Sequence, residues 1–154
     1  YQKLVELTKS IKAKPTVFVG MPWNGAWYLA GGKSFQAQLL SDAGANYLWA
    51  DNTETSSFVV DKEVIFEKAF DADFWVNLNA FNSIAEVQTV HAKFAEFKSV
   101  KKHQVYNNLK LNTASGNDYW ESGVINPQLI LADLIQIFHP NSIQHELVYY
   151  KQLE

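Results

Sequence analysis

The side chains best placed to do chemistry in this sequence are aromatic, not acidic or nucleophilic. Met21-Pro22-Trp23-Asn24-Gly25-Ala26-Trp27-Tyr28 sets three large rings on one glycine-bearing loop. Flat apolar side chains in a loop invite aggregation unless they cover something. Ring faces offer dispersion and stacking area without demanding hydrogen bonds, so a planar or greasy chelate would suit them. The alternative is that Trp23 and Trp27 fold back to seal their own loop, since aromatics bury themselves often. A second group, Asp118-Tyr119-Trp120-Glu121, sits in a polar loop. It either closes the same cleft from the side or plugs the edge of a sheet.

Other chemistries find less support. Gly25, Gly31 and Gly32 precede a helix, and helix N-termini attract anions, but their spacing matches neither the dinucleotide fingerprint nor the P-loop. The four histidines, His91, His103, His139 and His145, show no paired metal-ligand spacing. His91 reads as a satisfied core residue on an apolar stripe, and His139 as the cap of a helix C-terminus. Haem ligation by a single tyrosine or histidine stays open, because it needs only one axial group. There is no Gly-x-Ser-x-Gly elbow and no cysteine nucleophile. Glu63 and Glu67, four apart, read first as a solvated helix face. Glu63 nevertheless falls in the first turn of its helix, and in a parallel α/β layer that end shares an edge with the strand C-termini. A carboxylate there is placed to meet an external arginine.

The balance of 13 basic and 16 acidic side chains leaves no nucleic-acid footprint, and Lys98 to Lys102 reads as a solvated loop. No apolar run approaches the ~20 residues of a membrane span. The absence of cysteine is equally compatible with cytosol and envelope. The chain opens at Tyr1, which suggests a processed or excised piece, so a missing leader says nothing of cytosolic residence.

The elements that must position these groups follow from periodicity. Leu4, Leu7 and Ile11 give an amphipathic helix over residues 1–13, uncapped at its start and stopped by Lys14-Pro15. Thr16 to Gly20 is a buried strand, and Met21 to Lys33 a loop. Ser34 caps a helix whose buried stripe is Phe35, Leu39, Leu40 and Ala43, closed by Gly44. Strands follow at Asn46 to Ala50, Asp73 to Leu78 and Gln104 to Asn107. Between them lie a helix capped by Asp61 and a longer one over 84–97. After a polar loop, Pro127 opens a last helix, apolar over most of its circumference, through Phe138. This alternation predicts an α/β fold, a three-layer αβα sandwich around a mainly parallel sheet. Ligands bind outside the carboxyl ends of such strands. Met21 to Lys33, Asp51 to Phe58, Asn79 to Ser83 and the residues after Val105 should therefore meet there. That places Asn79 and Phe81 beside the aromatic groups.

Several segments also resemble a known family in order and spacing. Ser34 to Gly44 with Ala45-Asn46 resembles its serine-phenylalanine, leucine-leucine, alanine-glycine and asparagine segment. Val60-Asp61-Lys62-Glu63-Val64 resembles its valine-serine-x-glutamate helix start, and Asp71 to Val76 its proline-aspartate strand entry. Asn126-Pro127 through Ile137-Phe138-His139-Pro140 resembles its closing helix. The family is that of periplasmic substrate-binding proteins of ABC transporters for iron siderophores, haem or cobalamin, and the match is to the C-terminal lobe. Ala72 stands where the family has proline, and the tryptophan-rich loop is unusual for it.

The resemblance implies a Rossmann-like lobe without catalytic machinery or a cofactor, holding its ligand against a missing N-terminal lobe. Residues 1–13 would end the helix connecting the lobes and 14–154 would form the ligand-binding lobe. Ligand contacts would come from Trp23, Trp27, Tyr28, Asn79, Phe81, Tyr119 and Trp120. Glu63 matches the glutamate that meets arginines of the permease. The ligand would be an iron chelate, haem or cobalamin. The location would be periplasmic or cell-envelope, with or without an upstream lipid anchor. Two rivals stand beside this: a small hydrolase or transferase using Asp51 or Glu121 at the strand edge, and a sensor or interaction module built on the same lobe.

Overall fold

The computed structural model describes every residue from Tyr1 to Glu154. In chain order its strands are β1 (Thr16–Val19), β2 (Pro22–Trp23), β3 (Ala26–Ala30), β4 (Asn46–Tyr47), β5 (Ser57–Val60), β6 (Phe74–Val76), β7 (Val105–Asn107), β8 (Asn112–Thr113), β9 (Gly116–Asn117) and β10 (Lys151–Gln152). Its helices are α1 (Gln2–Lys9), α2 (Phe35–Asp42), α3 (Lys62–Lys68), α4 (Ile84–Val90), α5 (Lys98–Lys101), α6 (Ser122–Ile125) and α7 (Pro127–Phe138), with 3₁₀ turns at Ala92–Glu96 and Asp118–Trp120.

The central sheet has five strands in the order β10-β7-β6-β1-β4. β4, β1, β6 and β7 run parallel, and β10 closes the edge antiparallel to β7. Side chains alternate across the sheet as the pleat requires. Val17 pairs with Phe74 and Val19 with Val76. Phe74 meets Phe138 of α7 edge-on at 5.1 Å on this face, where α1, α2 and α7 pack together. On the other face Phe18 stacks on Trp75 at 4.8 Å, Phe97 closes over both, and Phe94 meets Trp75 edge-on. Both faces of the parallel strands are thus covered, and the α/β sandwich expected from the sequence is the observed architecture.

Six local expectations are corrected. The segment after β1 is not an open loop: β2, β3 and β5 form a three-stranded antiparallel sheet. Asn24 and Gly25 take left-handed φ of 50° and 77° between the paired Trp23 and Ala26. That is the two-residue hairpin turn for which Asn-Gly is suited. The helix over 84–97 breaks at His91, which is extended at φ −158°; its Nδ1 accepts from Lys93 N–H at 3.1 Å, so it caps a new turn and is not a core residue within one helix. Asp61 precedes α3 but its side chain makes no capping bond. Strand β4 ends at Tyr47, α1 already at Lys9, and the strand β10 had no counterpart in the pattern.

Candidate ligand-binding cleft

Strand β1 ends at a point fixed by two indoles. Trp27 Nε1 donates to the Val19 carbonyl at 3.0 Å, and Trp75 Nε1 donates to the Gly20 carbonyl at 2.8 Å. Gly20 itself has φ 86°, and a β-carbon there would come within 2.8 Å of the Tyr28 carbonyl oxygen. Only glycine lets the chain turn out of the sheet this close to β3.

One strand over, the loop leaving β6 is held by Asn107, which is fully buried at the end of β7. Its Oδ1 accepts from the N–H groups of Leu78 (2.9 Å) and Asn108 (3.0 Å), while its Nδ2 donates to the carbonyls of Asn79 (3.0 Å) and Phe81 (2.8 Å). This lets Asn77 and Asn79 adopt left-handed φ of 60° and 52°, a region asparagine enters more readily than other non-glycine residues.

Above these strand ends lies a cleft of about 640 Å³. Tyr28, Phe35 and Trp120 rim it with exposed rings, and Asn77, Asn79 and Asn108 lie at the strand ends beneath. The four segments expected to converge on this edge do so: Tyr28 to Ala30, Thr55 to Ser57, Asn79-Ala80 and Asn108 to Asn117 all contribute. None of the lining residues is Asp, Glu, Lys, Arg or His. The arrangement can stack rings and exchange hydrogen bonds with amides and hydroxyls. It offers no charged acid-base pair, and neither Asp51 nor Glu121 reaches it.

The residues singled out by type separate into distinct groups. Tyr28, Asn79 and Trp120 line the cleft. Trp27 does not: it is fully buried, because β3 alternates with Trp27 and Leu29 inward and Tyr28 outward. Tyr119 is also corrected to a core position, 1% exposed and edge-on to Tyr149 and Tyr150. Burial raises the pKa of its phenol, and likewise that of Tyr150, so both stay protonated. Trp23 is 68% exposed beside the hairpin turn but lines no part of the cleft. Phe81 is half-buried against the core and also lies outside it. Glu63 is exposed in the first turn of α3 and makes no ion pair.

Sequence reasoning missed Phe35, assigned to the buried stripe of α2 but 47% exposed at the rim, and the amides Gln36, Asn77, Asn108, Asn112 and Asn117. An available signal was the asparagine that follows each of two parallel strands. Ser34 caps α2 as expected, accepting from Ala37 N–H at 3.1 Å. Gly31 and Gly32 are packing devices and not a phosphate loop: β-carbons there would fall 2.2 Å from the Glu54 carbonyl oxygen and 2.3 Å from that of Asn52. The histidines also lie elsewhere. His139 Nε2 is 3.1 Å from the Gly44 carbonyl, and His145 Nε2 is 2.6 Å from Asp133 Oδ1. No group of three or more His, Asp or Glu side chains is placed to hold a metal ion, and no helix is long and apolar enough to cross a membrane.

No family model matches this chain. Over 145 residues it is 26% identical to an uncharacterized lipoprotein of Methanocaldococcus jannaschii, covering 92% of this chain and 33% of that protein. Among solved structures it is similar to an ABC transporter solute binding protein from Sulfurospirillum deleyianum, with TM-score 0.71 and 17% identity, covering 95% of this chain and 44% of the other. It is similar also to the TroA-like periplasmic binding protein FepB from Veillonella parvula, with TM-score 0.65, 14% identity, and 99% and 53% coverage. Helicobacter pylori CeuE, solved with Ni(II) bound, gives TM-score 0.64, 17% identity, and 92% and 42% coverage. The chain therefore has the fold of a lobe of TroA-like binding proteins, and it spans a third to about half the length of these relatives.

Proposed function

We propose that this chain is the C-terminal lobe of a substrate-binding protein of an ABC importer, and that its cleft is half of the site for an iron chelate, haem or cobalamin-type ligand. Residues 14–154 would form the lobe, and α1 (Gln2–Lys9) would end the helix joining it to an N-terminal lobe. The observation that carries the reading is the cleft itself. It opens at the carboxyl edge of the parallel strands, its rim rings are exposed, and its lining holds no charged acid or base. Exposed large rings around a concavity mark a surface that meets a partner or ligand. The cell envelope is the fitting location, as it is for the lipoprotein and periplasmic relatives.

Capture would use Tyr28, Phe35 and Trp120 for ring contact and the asparagines for hydrogen bonds. Titration of the full-length protein with haem, ferric siderophores and cobalamin should quench tryptophan fluorescence saturably for one of them. Trp120→Phe should remove most of that signal, and Tyr28→Ala should weaken affinity about fivefold. Quenching by none of the three, with hydrolytic turnover instead, would favour an enzyme at this edge.

Docking on the permease is assigned to Glu63. Its carboxylate is exposed and unpaired, free to accept charge-assisted hydrogen bonds from arginines. Glu63→Ala should lower uptake in cells by about tenfold or more while leaving chelate affinity unchanged. Normal uptake by that variant removes the assignment.

A further inference from the structure

Resting on the reading of this cleft as a chelate site, we propose that it selects an uncharged chelate with carboxamide or hydroxamate oxygens at its periphery, over anionic catecholate or carboxylate chelates. The chain carries 13 basic side chains, so a cationic site was within its means. None of them lines the cleft, whereas Gln36, Asn77, Asn79, Asn108, Asn112 and Asn117 all do. Lys33 and Lys110 each adjoin a lining residue in sequence and still stay off it. The Lys110 ammonium is committed elsewhere, to the Leu147 carbonyl, with Glu146 at 3.9 Å. An anionic ligand entering here would exchange its hydration shell for neutral dipoles on this side, which penalises a charge far more than a neutral amide. Carboxamides of the protein both donate and accept, and so match a ligand that presents neutral oxygens and N–H groups.

Asn77 bears on the same point. It is 7% exposed, lines the cleft, and its Oδ1 accepts from the Tyr150 hydroxyl at 2.8 Å. Its Nδ2 has no partner. Buried amide donors are seldom left unpaired; this one has no accessible surface of its own, so an acceptor oxygen of the ligand would meet it where the Asn77 side chain turns toward the cleft. Ser34 caps the first turn of α2, which also lines the cleft, by accepting from Ala37 N–H.

The test uses the full-length protein with four probes: cyanocobalamin, ferrichrome, ferric enterobactin and haemin. One of the two uncharged chelates should bind at least about tenfold tighter than either anion. Its affinity should hardly change between about 0.05 and 0.5 M salt, because screening acts only on charges. Binding of cyanocobalamin assigns the oxygens to carboxamides, and binding of ferrichrome to hydroxamates. Tighter binding of an anion, weakening as salt rises, overturns the inference but leaves chelate capture standing. Binding of none overturns both. Asn77→Asp keeps the left-handed backbone and the acceptor for Tyr150 but removes the donor, and should weaken the uncharged chelate about tenfold. Asn79→Asp, at an exposed position, is the companion variant if Asn77→Asp folds poorly. Unchanged affinity in the folded variants overturns the amide contact.

Discussion

Two tryptophans four positions apart do opposite work. Trp27 is fully buried, hydrogen-bonds the Val19 carbonyl and packs against Trp75, whereas Trp23 stands 68% exposed on the same hairpin. Trp27→Ala should therefore cost about 3–5 kcal/mol of stability, and Trp23→Ala should stay within about 0.5 kcal/mol. Denaturant unfolding of the two variants measures the contrast, and equal losses would mean the hairpin is packed differently. The sequence marked both rings as ligand candidates because residue type reports that a ring wants cover, not which way it faces. The face is set by strand alternation, which a segment read as a loop does not show. Asn24-Gly25 between apolar residues was the sign that would have revealed the hairpin. Tyr28 and Trp120, by contrast, were identified by type and do line the cleft.

At the scale of elements, the helices and parallel strands were legible because each carries its own periodicity, and α7 was read with its observed bounds, Pro127–Phe138. What that helix does was not legible. Asp133 lies fully buried on it, and its carboxylate accepts from the N–H groups of Val148, Tyr149 and Tyr150 and contacts His145 Nε2 at 2.6 Å. One side chain thereby docks the segment that leads into β10. No local pattern announces this, because the backbone partners lie 15 to 17 residues away in sequence. Asp133→Leu leaves those amides buried without acceptors, so a loss of at least about 3 kcal/mol is expected. Hydrogen exchange should then show residues 148–153 losing protection before the rest of the sheet. Uniform loss across the sheet would mean β10 unfolds only with the whole. Asn107→Leu applies the same logic at the cleft: three of its four hydrogen bonds hold residues 78–81, so weaker ligand binding should accompany the lost stability.

Across the whole molecule, the two edges of the parallel sheet divide the labour. The carboxyl edge opens into an uncharged cleft, while the amino edge is stapled by charge. Asp73, just before β6, accepts from Thr16 N–H at 2.9 Å at the start of β1, and from Lys98 Nζ at 2.6 Å at the start of α5. Burial alone would raise the Asp73 pKa, but Lys98 and the Thr16 N–H and hydroxyl outweigh it and hold the carboxyl below its usual range. A carboxyl depressed in the folded state contributes stability that is complete above its unfolded value of about 3.9 and is lost as pH falls through the folded value. Solvent screening at this position, where the Asp73 side chain is 35% exposed, limits the contribution to about 0.5–1 kcal/mol. Asp73→Asn should remove that contribution above pH 4 and flatten the acid limb of the stability curve below it. Because the staple and the cleft occupy opposite ends of the strands, chelate affinity at neutral pH should be the same in the variant as in the natural protein. Stability curves from about pH 2 to 7 and one titration at neutral pH decide it. An unflattened acid limb would deny Asp73 its part, and a fall in affinity would show that the two edges are coupled through β1 and β6.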